Sequence, residues 1–302
     1  MTPRDPAVVP RESATGAIYD LGYRGYTGER LGRRAAVLAL FSASLRAAFG
    51  LGRSGKAKLV PWGITLIAIV PAAVAAAVSA IVPGGASPFN YNNYLWDMQI
   101  VFALFLAAQA PELVSSDQRN HVLSLYFSHA LLRSDYALAK IGALAAALFV
   151  LAVAPMLVLF FGSVLVSADL VAALGDQVGN LAQVLGAPII YAIPLAALGL
   201  AIAAWTPRRA YATGAIIAVF IVTTAVGAIL VEATTGNVSR WAPLINPFVA
   251  LDGTRDWLLG ASVADSGVAA SRLPLPVFGL EAAAIALIAG AAVIWRYRRM
   301  AA

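Results

Sequence analysis

The residues with the clearest chemical pattern are 50–57, GLGRSGKA, which match the G-x-x-x-x-G-K spacing of a phosphate-binding loop. The match ends at Ala57, where such a loop needs a Ser or Thr hydroxyl to bind magnesium. A phosphate-binding loop also joins a strand to a helix in an α/β domain, whereas this stretch leads into a long apolar run. We therefore interpret residues 50–57 as a flexible basic turn beside a membrane.

Other motifs for catalysis or metal binding are absent from the sequence. It contains no G-x-S-x-G elbow and no H-E-x-x-H pair, it has no cysteine, and its two histidines form no ligand cluster. The acids in or near apolar runs, Asp97, Glu112, Glu232 and Glu281, all lie near predicted span ends, so a proton relay through the membrane centre is not indicated. We predict no catalytic residue, no metal site and no cofactor in this chain.

The composition predicts an all-α, polytopic membrane protein. Of the 302 residues, 61% are hydrophobic and 12% charged, whereas soluble domains are about 45–50% apolar and about 25% charged. Six apolar runs are long enough to cross a bilayer. They cover residues 59–82, 93–113, 141–166, 184–205, 211–231 and 277–295. We expect them to form one six-span transmembrane domain over residues 59–302.

The basic residues predict the orientation of these spans. All but Arg240, Arg255 and Arg272 of the 21 Lys and Arg residues lie before the first span, between spans two and three, between spans four and five, or after the sixth. The positive-inside rule then places both termini in the cytoplasm of a cell-membrane protein. The net charge of +6 is explained by attraction to anionic membrane lipid, and no nucleic-acid partner is expected. Residues 83–92, 167–183 and 232–276 become outer segments.

Residues 1–58 are predicted to form a cytoplasmic arm followed by an amphipathic helix. Apolar side chains recur there at helical spacing, at Leu31, Leu38, Phe41, Leu45 and Phe49. This pattern favours a helix in the cytoplasmic membrane interface, with arginines toward the lipid headgroups. An amphipathic helix packed on protein has the same pattern.

Polar side chains within spans form a second group of candidates. Gln99, Gln109 and Tyr191 could line a substrate path. They could equally well form hydrogen bonds to neighbouring helices, as polar side chains in membrane helices commonly do.

The segment between the second and third spans, residues 113–140, is longer than a simple reversal of the chain requires. It mixes charges with apolar residues, and a contiguous apolar surface in the cytoplasm usually marks a binding site for a partner. Leu123, Leu125, Tyr126 and Phe127 are the apolar anchors we expect there. Glu112, at the end of the second span, is expected to orient this segment through Arg119, Arg133 or a backbone amide.

Residues 117–140, DQRNHVLSLYFSHALLRSDYALAK, resemble the loop between spans two and three of ABC type 2 permeases. In that family a charged run and a short helix precede a basic entry to the third span. The matching positions are Asp117 and Arg119, then Leu123 and Leu125, then Arg133 and Lys140. His121 and Ala130 stand where the family usually has glycine and proline. Residues 245–248, INPF, are similar to an element of the family's outer loop, and residues 19–24 to arms of actinobacterial members.

The resemblance implies the permease subunit of an ATP-driven exporter for a lipophilic or amphipathic substrate, such as a drug, an antibiotic or a lipid. Its partners would be two copies of a separate ATP-binding subunit, which bind the ATP and magnesium, and a second permease that is identical or related. Residues 117–132 would be the coupling helix that docks on the ATPase. The ATPase-coupling residues would be Glu112, Asp117, Arg119, Leu123, Leu125, Tyr126, Phe127 and Arg133. The chain itself would not be an enzyme.

The alternative is a membrane-embedded enzyme or an ATP-independent carrier acting on lipid-like molecules. Such an enzyme needs acid, base or metal ligands grouped at one depth in the membrane, and the sequence shows no such group. A neighbouring gene for an ABC ATPase would favour the exporter.

The predicted topology is testable by cysteine labelling, because the chain has no cysteine of its own. A single cysteine at Ser124 should react with an impermeant maleimide only after the cells are permeabilised, since its segment is expected inside. A cysteine at Ser239, in the outer segment, should react in intact cells. Labelling of the Ser124→Cys variant in intact cells would contradict the topology.

Overall fold

A computed structural model describes residues 28, 31–81, 91–128, 131–165, 171, 175, 177–260 and 267–299 of the chain. The predictions for the arm before residue 28, for the first outer segment up to residue 90, for most of residues 167–176 and for Ala130 fall outside these residues.

The described chain folds into helices. They are α1 Gly32–Ala48, α2 Gly55–Ile81, α3 Tyr91–Asp97, α4 Gln99–Arg119, α5 Leu123–Phe127, α6 Arg133–Leu165, α7 Ala187–Trp205, α8 Arg209–Ala233, α9 Asn237–Trp241, α10 Pro247–Leu259, α11 Gly267–Ser271 and α12 Leu275–Arg299. Among the described residues, α2, α4, α6, α7 with the turns before it, α8 and α12 are long and apolar enough to cross a membrane. The predicted all-α class with six spans is confirmed.

The ends of the second and third spans differ from the prediction. α4 begins at Gln99, after the separate helix α3, and continues to Arg119. α6 has 33 residues and begins at Arg133, so at about 1.5 Å per residue it is about 50 Å long, well over a hydrocarbon core of about 30 Å. Hydropathy marks only the part of a helix that contacts lipid. The segment between α4 and α6 therefore covers residues 120–132 and is shorter than the predicted residues 113–140.

Helix α7 lies at the centre of the bundle and packs against α4, α6 and α12. Small residues on α7 allow close approach, and Gly199 lies directly against Leu106 of α4. α2 packs on α6 and α8 packs on α4, but both bury only a minor part of their apolar length. The bundle therefore has a dense centre, with two flanking helices that present apolar surface.

Helix α1 packs on α6 along one face. Leu40 and Ala48 are buried there, and Phe41 is half-buried, while Leu31 and Leu38 are exposed. Packing on protein, which the sequence left open, therefore accounts for part of the apolar pattern. The location of α1 in a membrane interface stays a prediction.

The segment after α8, which the sequence predicts to be an outer one, folds largely into helices. Asn246 caps α10, since its side-chain oxygen accepts a hydrogen bond from the Phe248 N–H at 3.0 Å, and Pro247 occupies the first turn. α10 is buried over most of its length against α7 and α12. It carries Arg255, whose fully buried guanidinium lies 2.9 Å from the Asp252 carboxylate on the same helix.

The contact between α10 and α12 depends on a glycine. A Cβ atom at Gly253 would collide with the Phe278 ring. Gly253→Ala should therefore lower the free energy of unfolding by about 1–3 kcal/mol through overpacking, measured as a lower Tm of the detergent-purified protein.

Gly214→Ala is the matched control for this variant. Gly214 is exposed within α8 and has open space around it, so alanine should raise the stability by about 0.5–1 kcal/mol through helix propensity. Equal Tm values for the two variants would contradict the close packing of α10 on α12.

Candidate coupling site at the polar end of the bundle

The short helix α5 lies between the end of α4 and the start of α6, where the chain reverses direction. The turn into α5 passes through His121, which has a φ of 53°. This is the left-handed region that glycine adopts most easily and other residues rarely adopt, so the backbone turns sharply at His121. The helix itself covers five residues and not the whole of residues 117–132.

Asp117 holds α4 to α6. Its carboxylate lies 2.8 Å from the Lys140 ammonium and accepts a hydrogen bond of 2.8 Å from the Tyr136 hydroxyl. The side chains of Asp117 and Lys140 are only 15% and 6% exposed, so this ion pair is part of the packed structure and leaves Asp117 little surface for a partner. Gln118 extends the connection by donating hydrogen bonds to the Ala204 carbonyl of α7 and the Tyr297 hydroxyl of α12.

Glu112 lies between two arginines from distant parts of the chain. Its carboxylate forms an ion pair with Arg53, in the turn between α1 and α2, and with Arg209, at the start of α8, at 2.7 Å. Arg119 and Arg133, the expected partners, are not the ones that pair with it. Sequence proximity favoured those two, but the fold places the ends of α2 and α8 beside the carboxylate. From the sequence, Arg53 is recognisable only as part of a basic turn, and Arg209 only as a basic residue that indicates orientation.

Three of the four expected anchors face inward. Leu123, Tyr126 and Phe127 pack against the core, and the Tyr126 and Phe127 rings lie 5.7 and 6.0 Å from the Tyr136 ring. Burial raises the pKa of Tyr126, and the charge of Asp117 adds to this effect. These three side chains are therefore only partly exposed. Leu125, at 69% exposure, is the anchor that faces outward.

The two remaining candidates have different surroundings. Arg133 donates a hydrogen bond of 3.0 Å to the Arg298 carbonyl near the end of α12, and its guanidinium lies 5.6 Å from the centre of the Phe127 ring. It therefore fixes the end of α12 to the start of α6. Arg119 is exposed at the end of α4.

A cleft of about 520 Å³ opens at this end of the bundle. Five of the predicted coupling residues line it together with the two arginines that pair with Glu112: they are Glu112, Asp117, Arg119, Leu125 and Tyr126. Its wall thus combines mixed charge with one exposed leucine, a composition that is typical of the polar rim of a protein interface. Among the residues that the structure describes, no group of three or more His, Cys, Asp or Glu side chains could hold a metal ion.

The three candidates for a substrate path do not come together. Gln109 is buried on α4, one turn before Glu112. It lines a smaller cavity that lies beside the cleft and shares Glu112 with it. Gln99 starts the same helix about 15 Å away. Tyr191 is buried on α7, packs on the Phe102 ring at 5.9 Å and donates a hydrogen bond to Asp252 of α10. Tyr191 therefore forms a hydrogen bond between helices, which was the second of the two roles considered for these polar residues.

No protein-family model matches this sequence, and no curated protein matches it either. What the molecule does must therefore be inferred from the geometry of its sites.

The double ion pair of Glu112 should stabilise the fold. Glu112→Gln should lower the free energy of unfolding by about 1–2 kcal/mol, since both half-exposed arginines lose their charged acceptor. This corresponds to a Tm about 2–4 °C lower per kcal/mol, and the loss should shrink at 1 M NaCl, where exposed charges are screened.

The control for Glu112→Gln is Glu232→Gln, which changes an exposed carboxylate at the other end of the bundle and should leave the Tm unchanged. An equal Tm loss in both variants, or a loss at Glu112 that does not depend on salt, would contradict the role of the ion pair.

Proposed function

We propose that this chain is the permease subunit of an ABC exporter and that α5 is the element that docks on a separate ATP-binding subunit. The observation that carries the proposal is the two-sided character of α5. Its inward residues are fixed to α6 by ring packing, while Leu125 and the charged cleft beside it face away from the bundle.

A docking helix must both bind a partner and transmit movement. Binding is supplied by Leu125, because an exposed leucine can fill a groove while charges around it set the register. Transmission is supplied by Tyr136, against which the α5 rings pack and which also contacts Tyr297 of α12, with ring centres 4.9 Å apart. A force on α5 therefore reaches α6 and α12 directly.

The charged cleft extends the same connection to the rest of the bundle. Glu112 links α4 to the α1–α2 turn and to α8, and Asp117 links α4 to α6. A subunit that binds over the cleft contacts the residues that hold four of the long helices together at this end. ATP-driven closure of the partner ATPases would then move these helices and open a path for a lipophilic or amphipathic cargo. The membrane is the cell membrane, with this end in the cytoplasm, and two permease chains make up the transporter.

The proposal is tested by purifying the tagged chain in mild detergent and identifying the ATPase that comes with it. Leu125→Ala should reduce the amount of ATPase retained by about tenfold, since a leucine anchor in an interface contributes about 1–3 kcal/mol. Arg119→Ala should have a smaller effect that depends on salt, because charges at the rim mainly affect association.

Leu38→Ala serves as the control, because Leu38 on α1 has a similar exposure of 66% and lies away from the cleft. Removal of Tyr126 or Phe127 is less informative, because both side chains support the packing of α5. Absence of an ATPase from the wild-type preparation, or full retention by the Leu125→Ala variant, would refute the proposal.

A further inference from the structure

The basic turn between α1 and α2 has a well-defined shape. Gly50 and Gly52 have φ values of 66° and 84°, which side chains other than glycine rarely adopt. A Cβ atom at Gly50 would also lie 2.6 Å from the Ala57 carbonyl oxygen. The glycines therefore make a tight turn that carries the Arg53 side chain to Glu112.

A cavity of about 290 Å³ lies under this turn. Its polar side is formed by Arg53, Lys56 and Arg209 around Glu112, and its apolar side includes Ala47 and Val60. It shares Arg53, Glu112 and Arg209 with the larger cleft, but Lys56 and the apolar wall belong to this cavity alone.

The charges in the cavity favour an anion. Three cationic side chains face one carboxylate, which leaves an excess of two positive charges. Each guanidinium has five N–H donors, and a single carboxylate shared by two arginines accepts from only some of them. The Arg53 and Arg209 side chains are 42% and 56% exposed, so donors remain accessible. Phosphate oxygens are strong acceptors for such donors.

The position of the cavity favours a lipid as the source of that anion. One turn beyond Lys56, α2 exposes Leu59 and Trp62 at 75% and 51%. Exposed leucine marks contact with hydrocarbon, and tryptophan is enriched at the level of the headgroups. The apolar wall of the cavity, with Val60, is continuous along α2 with this surface. A free phosphate ion gains nothing from contact with an apolar wall, whereas the glycerol and acyl chains of a phospholipid would pack against it.

We propose that this cavity binds an anionic phospholipid, with the headgroup phosphate held by Arg53, Lys56 and Arg209 and the acyl chains along α2. Basic pockets between membrane helices on the cytoplasmic side are suited to such headgroups. The inference does not depend on the proposed exporter function, since it uses only the cavity, its charges and the exposed face of α2.

Native mass spectrometry of the full chain, purified in mild detergent with phosphatidylglycerol or phosphatidylcholine, provides the test. The wild-type chain should retain more phosphatidylglycerol than phosphatidylcholine. Lys56→Gln should reduce the retention of phosphatidylglycerol by about fivefold. The matched control is Lys58→Gln, which removes an exposed lysine that is two residues away and does not line the cavity; it should retain the lipid as the wild-type chain does. A second pair of variants tests the same point. Arg209→Gln should reduce the retention of phosphatidylglycerol, whereas Arg208→Gln should not, because Arg208 does not line the cavity.

Three results would overturn the inference. Equal retention of the two lipids by the wild-type chain would exclude an anion site. Equal loss in Lys56→Gln and Lys58→Gln would show diffuse surface attraction. Displacement of phosphatidylglycerol by 10 mM inorganic phosphate, with a rise in Tm that requires Lys56, would assign the cavity to free phosphate. The wild-type chain alone also tests the site, even if a variant fails to fold. Phosphatidylglycerol should raise its Tm, and phosphatidylcholine should not.

Discussion

The polar end of the bundle depends on one carboxylate. Glu112 joins the α1–α2 turn, α4 and the start of α8 through two arginines that lie far apart in the sequence. Glu112 lies about two turns before the end of α4, and its charge is compensated by the two arginines. Both clefts at this end are lined by the same three side chains. The docking of a partner and the binding of a lipid, the two activities proposed for this end, would thus act on one shared set of contacts.

The sequence predicted the helical class and the six long apolar helices because a bilayer requires long apolar stretches, and apolar length can be read directly. It did not predict where α4 ends or where α6 begins, since both helices extend beyond their apolar runs into the segment between them. Nor did it predict the inward packing of Tyr126 and Phe127. A helix of five residues is too short for apolar periodicity to show which side is buried.

The pairing of the charged residues at the candidate site could not be predicted from the sequence. Glu112 and Asp117 were predicted to be coupling residues, but their ionic partners are set by which helix ends meet in space. Arg53 and Arg209 pair with the first, and Lys140 with the second. Such long-range pairs leave no pattern within one sequence.

The burial of Arg255 in α10 has a consequence for how the protein is made. The guanidinium is neutralised within its own helix, by Asp252 at 2.9 Å and by Asp256 at 3.5 Å, so α10 carries its counter-charges with it. The close packing of α10 requires α12, the last of these helices to leave the ribosome. During biosynthesis, the contact between α10 and α12 can therefore form only after α12 has been made, and it is among the last steps of assembly.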